Sequence, residues 1–360
     1  MPTHPQIKDL KQVPGATKEM SNTKKQKIAF AGFRHGHILS LYDLAQERED
    51  LEVVAACEEH EETRAQLQKS GKATITHTDI DAFLAVDCDI IAIGDYFARR
   101  GPLAVQALES GRHVIVDKPL CTQMEALDKI SALSQKKNLK VGCMLTMRDS
   151  PQINGVRELI QAGRIGEIHA ISFGGQHPLM LGSRPSWYFE EGKHGGTITD
   201  IAIHAIDALP WITGLQFKTI NAARCWNAFA PDFPHFEDAA QMMLTMDNSC
   251  GVLGDVSYFA PDTAGYSMPY YWRVTYWGRG GVIETSTTAK EIQILSKDDK
   301  TVQKVALPPS IKGGYLQAFL DDIAGKTPEN GLDTAAVLAS ARNVIRVQQA
   351  ADKGEREVTF

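Results

Sequence analysis

Hydrophobic and polar positions follow two different rhythms along this chain, and the change of rhythm divides it. Between residues 27 and 146, short apolar runs alternate with longer stretches whose apolar residues recur at helical spacing. The runs at 27–31, 51–57, 88–93, 113–116 and 140–145, with a shorter one at 74–76, predict strands. The stretches at 37–44, 59–69, 80–85, 103–109 and 123–136 predict helices. Strands that are apolar on both faces and separated by helices belong to a parallel sheet covered on both sides. Right-handed crossovers make that sheet doubly wound, so residues 27–146 read as an α/β domain of Rossmann type.

After residue 146 the rhythm changes. One helix at 152–162 is followed mainly by strands at 168–173, 219–226, 239–246, 251–258, 272–277, 281–285, 291–295 and 301–307, interrupted by a helix around residue 202. Helices at 315–324 and 333–351 close the chain. This predicts an α+β domain over 147–360 with a large, open, mostly antiparallel sheet. One face of that sheet carries apolar residues that no following helix covers, which points to a homo-oligomer, dimer or tetramer. Residues 1–26 have no apolar periodicity and read as a flexible tail. Met20-Ser-Asn-Thr-Lys-Lys suits a translation start, so residues 1–19 read as an upstream extension.

Composition narrows the function mainly by exclusion. The 360 residues carry a formal charge of −6 and no basic stripe, which argues against a nucleic-acid footprint. The six cysteines stand singly without a C-x-x-C pair and read as thiols of a reducing compartment. No run approaches the roughly 18 apolar residues of a membrane span, so no membrane partner is expected and the cytoplasm is the expected location.

Candidate chemistry sits at three places. Ala31-Gly32-Phe33-Arg34-His35-Gly36-His37 lies between a predicted strand and a predicted helix, where backbone amides and a helix end can hold a pyrophosphate. The glycine fingerprint is incomplete, because Arg34 and His37 stand where the second and third glycines would be; the plain alternative is a strand-to-helix turn. Glu58 follows the second strand, about 26 residues after Gly32, near where a carboxylate takes ribose hydroxyls. That position favours NAD, while Arg34 and Arg64 would favour NADP; the plain alternative for Glu58 is a solvated strand-end carboxylate. Arg112-His-Val-Ile-Val-Asp-Lys118-Pro119 delivers a lysine to the carboxyl end of a buried strand, and a cis bond before Pro119 suits that site. Gly195-Gly196 precedes a largely apolar helix on which Asp200 and His204 stand one turn apart. Asp207, one turn further, is placed to orient His204 or to hold the helix. No metal is expected: His35 and His37 are two apart, a spacing that diverges on a helix, with no third ligand nearby.

Together these residues resemble the Gfo/Idh/MocA family, from about Lys27 to the carboxyl terminus. Asp117-Lys118-Pro119 is similar to its Glu-Lys-Pro motif. Gly195-Gly196 with Asp200 and His204 is similar to its Gly-Gly and Asp-x-x-x-His segment, and Arg148 with Pro151 to its Arg-x-x-Pro. The resemblance departs at Arg34 and at the Gly94–Arg100 loop, which contains Asp95 and lines the cofactor crevice. It implies an NAD(P)-dependent oxidoreductase acting on a sugar, inositol or related polyol, with Lys118, Asp200 and His204 handling the proton. Gly32, Phe33, Arg34, His35, Gly36, His37, Glu58, Asp95 and Lys118 would then hold NAD or NADP, and Arg148, His177, Trp187, Tyr188 and Arg184 the substrate. Two alternatives share this fold: a non-catalytic sensor that binds dinucleotide and ligand, and an NAD-dependent glycoside-cleaving enzyme.

Overall fold

The apolar run near the start becomes β1 (Gln26–Ala31), and the computed structural model describes the chain from residue 25 to residue 360. The expected tail up to residue 24, with its start at Met20, lies outside the described residues. β1 is followed by α1 (Ile38–Glu47), β2 (Leu51–Cys57), α2 (Glu61–Ser70), α3 (Ile80–Leu84), β3 (Ile90–Ile93), α4 (Phe97–Glu109), β4 (His113–Val116), α5 (Met124–Lys137) and β5 (Val141–Cys143). The five strands pair in parallel in the order β2-β1-β3-β4-β5. Residues Ile28, Phe30, Ile90, Ile93, Val114 and Val116 are completely buried, as a sheet covered on both faces requires. At about 1.5–3 kcal/mol for each large aliphatic side chain removed from water, these strands hold the domain together.

Successive strands leave β1 in opposite directions, β2 to one side and β3 to the other. That reversal opens a crevice at the carboxyl ends, where ligands bind in open α/β sheets. Gly32, Gly94, Asp117 and Met144, the first residues after β1, β3, β4 and β5, all sit there.

Two expectations for this half are corrected. The strand at 74–76 shrinks to a single parallel bridge between Cys57 and His77. Helix α4 begins at Phe97 rather than 103 and carries Pro102 inside it. Its first turn is anchored by Arg100, whose side chain is fully buried and bonds Asp95 O at 2.8 Å and Asp117 O at 3.0 Å. Four carbonyls and one carboxylate oxygen accept from this guanidinium and outweigh the hydrogen bond that proline cannot make.

The second half contains α6 (Pro151–Gln161), β6 (Ile168–Pro178), α7 (Ile203–Thr213), β7 (Phe217–Trp226), β8 (Ala239–Met246), β9 (Gly251–Ala260), β10 (Arg273–Gly278), β11 (Gly281–Thr285), β12 (Glu291–Ser296), β13 (Gln303–Ala306), α8 (Gly314–Ile323), α9 (Thr334–Lys353) and β14 (Arg356–Thr359). Its nine strands run in the order β13-β12-β11-β10-β6-β9-β8-β7-β14. Only the central β6–β9 pair is parallel. Helices α8 and α9 return to the first sheet: Phe319 packs where a side chain on Gly142 would be, and Thr334 Oγ1 receives the Val141 N–H at 3.0 Å. Among the described residues no helix is long and apolar enough to cross a membrane.

Candidate active site

Strand β4 is buried throughout and ends on Asp117-Lys118-Pro119, with a cis peptide bond between the last two. Asp117 is fully buried and faces Arg100 Nη2 at 3.0 Å and His35 Nδ1 at 2.5 Å. Burial alone would raise the Asp117 carboxyl; Arg100 overcomes this and holds it well below the usual carboxylate range. Burial pushes His35 down to about 3, so the ring is neutral and its Nδ1 donates to Asp117. His37 Nδ1 lies 3.5 Å from the other oxygen of the same carboxylate. The two-residue spacing does not hold the histidines apart: His35 and His37 sit ahead of α1 rather than on it, and both turn to Asp117, a third potential ligand. Arg100 and His35 share Asp117 Oδ2, while Oδ1, on the His37 side, is buried with no hydrogen-bond partner among the described residues.

Lys118, 3% exposed, crosses to the second half of the chain. Its Nζ lies 2.6 Å from Asp200 Oδ1 and 3.1 Å from Asp200 O. An ammonium has three donors, so one remains for a ligand. Asp200 does not sit on a regular α-helix as the spacing predicts. Residues Ile198–Ala202 form a π-helical turn that runs into α7, a local widening frequent at functional sites. Gln348 on α9 caps that turn, receiving Ile198 N–H at 3.0 Å and Thr199 N–H at 3.3 Å.

Two further groups hold Asp200, neither of them among the expected site residues. Tyr258, at the end of β9, donates to Asp200 Oδ2, and His194 Nε2 lies 3.5 Å from the same oxygen. His194 could have been suspected from its place beside Gly195-Gly196; Tyr258 reaches the site only through strand pairing. Burial opposes the Asp200 charge, but Lys118 and His194 hold the carboxyl well below its ordinary range. His204 is pushed well below the usual imidazole range, first by burial and then by the Lys118 charge, so it stands neutral.

These groups open on a cavity of about 750 Å³, lined by His35, His37, Lys118, His177, Arg184, Tyr188, Asp200, His204 and Tyr271. It extends along α1 past Asp43 and Glu47 to Asp149, Lys312 and Tyr315. His177 and Tyr188 thus stand where expected, and Arg184 joins them with its guanidinium 4.6 Å from the Tyr188 ring centre.

Two expectations do not hold. Arg148 lies away from this cavity, forked onto Asp207 at 2.7 and 2.9 Å, and Asp207 also accepts from Ser340; neither residue serves His204 or a ligand. Trp187 is buried with its Nε1 donating to Arg34 O at 3.1 Å, so it forms a wall beside the turn rather than part of the main cavity. The backbone of Gly195-Gly196 packs closely on Thr122 and Gln348.

The turn itself fits a dinucleotide. Helix α1 has no acidic residue in its first turn and no side-chain cap, so its positive end is left unneutralised. Gly32 has φ +80°, and a Cβ there would fall 2.7 Å from Asp95 Cβ, so only glycine is accommodated. The large cavity reaches this helix end through His35 and His37. A second cavity, about 540 Å³, reaches it through Phe33, Arg34 and Gly36, and Arg184 lines both. A two-part ligand bridged by a diphosphate would be held by the turn, with one half beside Lys118 and the other in the smaller cavity; Arg184 at the shared wall is anchored to Leu179 O and Pro178 O through Nε and Nη2. Glu58 is not free for it, since its oxygens accept Phe33 N–H at 2.6 Å and His60 N–H at 2.7 Å. Asp95 likewise packs over Gly32 and accepts from Tyr96 N–H at 2.7 Å and Arg99 at 3.1 Å.

Comparisons with known proteins bear on the two halves of the chain. Residues 27–144 match the oxidoreductase family with an NAD-binding Rossmann fold, and residues 153–284 match the Gfo/Idh/MocA C-terminal domain. The chain is 28% identical over 187 residues to an inositol 2-dehydrogenase of Corynebacterium glutamicum, covering 51% of each protein. It is 27% identical over 180 residues to a D-glucoside 3-dehydrogenase of Escherichia coli, covering 49% of this chain and 50% of that protein. The chain spans about half the length of the curated relatives it matches. Among solved structures, an aldose-aldose oxidoreductase from Caulobacter crescentus complexed with glycerol superposes with a TM-score of 0.74 at 18% identity, covering 94% of this chain and all of that one. An inositol dehydrogenase homolog from Azotobacter vinelandii complexed with NAD+ gives 0.75 at 15%, covering 94% and 98%. At such identities the structures share the fold, while the two matched domains place the rest: the chain belongs to the Gfo/Idh/MocA family of oxidoreductases, with an NAD-binding Rossmann domain in its N-terminal half.

Proposed function

We propose that this chain oxidises a secondary alcohol of a sugar, inositol or related polyol, or reduces the matching ketone. The observation that carries the reading is the Lys118–Asp200 pair at 2.6 Å, built from two domains, in one cavity with a neutral His204. A bound nicotinamide supplies the hydride acceptor or donor. His204 takes the hydroxyl proton, for which a neutral imidazole is required. Lys118 donates its remaining N–H to the same oxygen and stabilises the negative charge that grows there as the proton leaves. Asp200, held by Tyr258 and His194, fixes the ammonium in place. His177, Tyr188, Arg184 and Tyr271 offer aromatic faces and donors to a hydroxylated ring. A positioned acid or base is worth roughly 100-fold to 10,000-fold in rate. Lys118→Ala and His204→Ala, tested against a polyol panel by absorbance of the reduced nicotinamide, are expected to lose turnover on that scale with the fold intact by circular dichroism. Near-normal turnover in either variant rejects the role given to that residue. The chain also pairs with a second copy through the outer face of the nine-stranded sheet, a reading supported by the exposure of Met243, Leu253 and Trp277.

A further inference from the structure

We infer that the smaller cavity takes the 2′-phosphate of a phosphorylated dinucleotide, so that this chain prefers NADP(H) to NAD(H). The inference rests on the dinucleotide reading above and concerns only the half of the ligand remote from the reaction.

In Rossmann domains a carboxylate after the second strand accepts the two ribose hydroxyls of NAD, whereas an arginine nearby accommodates the extra phosphate of NADP. Glu58 occupies the carboxylate position in sequence but not in function. It is 1% exposed, both oxygens are committed to backbone N–H groups of the turn and of His60, and it does not line the cavity. The neighbouring acid, Glu59, is drawn into an ion pair with Arg99. The side chains that do line the cavity beyond the turn include Arg34, His60, Thr63 and Lys72, with Arg184 at the shared end and Glu62 as the acid among them.

Arg34 stands where the fingerprint has a glycine, and its guanidinium lies 5.0 Å from the Tyr96 ring centre. Its Nε is buried with no hydrogen-bond partner among the described residues. The facing carboxylate, Asp95, is 4.0 Å away, with its oxygens already given to Tyr96 N–H and Arg99. Arg64, by contrast, is spent on Glu58 O and Glu59 O and closes the end of β2. Arg34 is thus a cation with unspent donors beside a cavity that also offers Lys72, His60 and the Thr63 hydroxyl. A dianionic phosphate satisfies these groups, and a bare ribose hydroxyl does not.

The experiment is calorimetric titration of the full chain with NADP+ and NAD+, and with 2′,5′-ADP against 5′-AMP as half-ligands. NADP+ is expected to bind at least about tenfold tighter than NAD+, as one or two charge-assisted hydrogen bonds provide. Arg34→Ala and the exposed Lys72→Ala should each shrink that ratio, mainly by weakening NADP+ and 2′,5′-ADP. Equal affinities, or tighter NAD+, overturn the inference and leave the dinucleotide reading standing. Binding of neither overturns both. Selective NADP+ binding without turnover of any polyol upholds the inference and rejects only the catalytic reading.

Discussion

Asp149 shows how much one buried carboxylate can weigh at the scale of a residue. It ends the short turn after β5, 8% exposed, with Oδ2 receiving Gly314 N–H at 3.0 Å and Oδ1 buried with no hydrogen-bond partner among the described residues. Burial pushes its carboxyl up to about 6, and the amides of Gly314 and Tyr315 only partly resist. An unfolded aspartate titrates near 3.9, so between about pH 4 and pH 6 the folded chain holds a proton that the unfolded chain has released. Stability therefore falls as pH rises through that window and the penalty is complete above it. Asp149→Asn, which keeps the shape and cannot ionise, should gain on the parent by an amount that grows from pH 4 to pH 6 and then levels, on the order of 3 kcal/mol. Urea unfolding of both proteins at several pH values measures this; a difference that does not change with pH would contradict it.

Among the elements, the π-helical turn has the most exacting surroundings. Gly195 at φ +83° and Gly196 at φ +99° lead into it, and Cβ atoms there would fall 2.2 Å from Thr122 Cγ2 and Gln348 Cδ. Gly196→Ala therefore strains the backbone and also pushes away the glutamine that caps Ile198 and Thr199, which moves Asp200 relative to Lys118. The expected cost is about 1–3 kcal/mol of stability, read by thermal unfolding, with kcat falling more than KM rises. An unchanged melting temperature would show that the packing yields. This element also marks where sequence stops being informative. The glycines, Asp200 and His204 stand out by residue type and spacing, yet Tyr258 and Gln348 come from far along the chain and leave no local trace, and His194, although beside the glycines, carries no motif of its own. Glu58 and Arg148 mislead for the same reason: each has the right address, and each is consumed by a tertiary partner invisible to spacing. The parallel strands were legible because burial on both faces leaves a run of apolar residues. β14, by contrast, is polar, and its strand character comes only from pairing with β7.

For the whole molecule, the remaining question is what covers the outer face of the large sheet. Its inner face is filled by helices, but on the outer side Met243 is 47% exposed, Leu253 58% and Trp277 54%. Met243 and Leu253 are register partners on the antiparallel pair β8 and β9. Apolar surface of this kind, contributed by several adjacent strands, is what a two-fold interface requires, since the same patch then buries itself. Burial is worth about 25 cal/mol per Å² of apolar area, and a stable interface removes more than about 1,000 Å² in total. The consequence reaches the active site, because β9 carries Leu253 outward at one point and Tyr258 to Asp200 a few residues on. Met243→Glu with Leu253→Glu should therefore convert an oligomer to a monomer in sedimentation velocity at micromolar concentration, and should lower turnover through β9 although both positions are remote from Lys118. A parent chain that already sediments as a monomer removes the interface. A monomeric variant with full turnover keeps the interface but severs its link to the site.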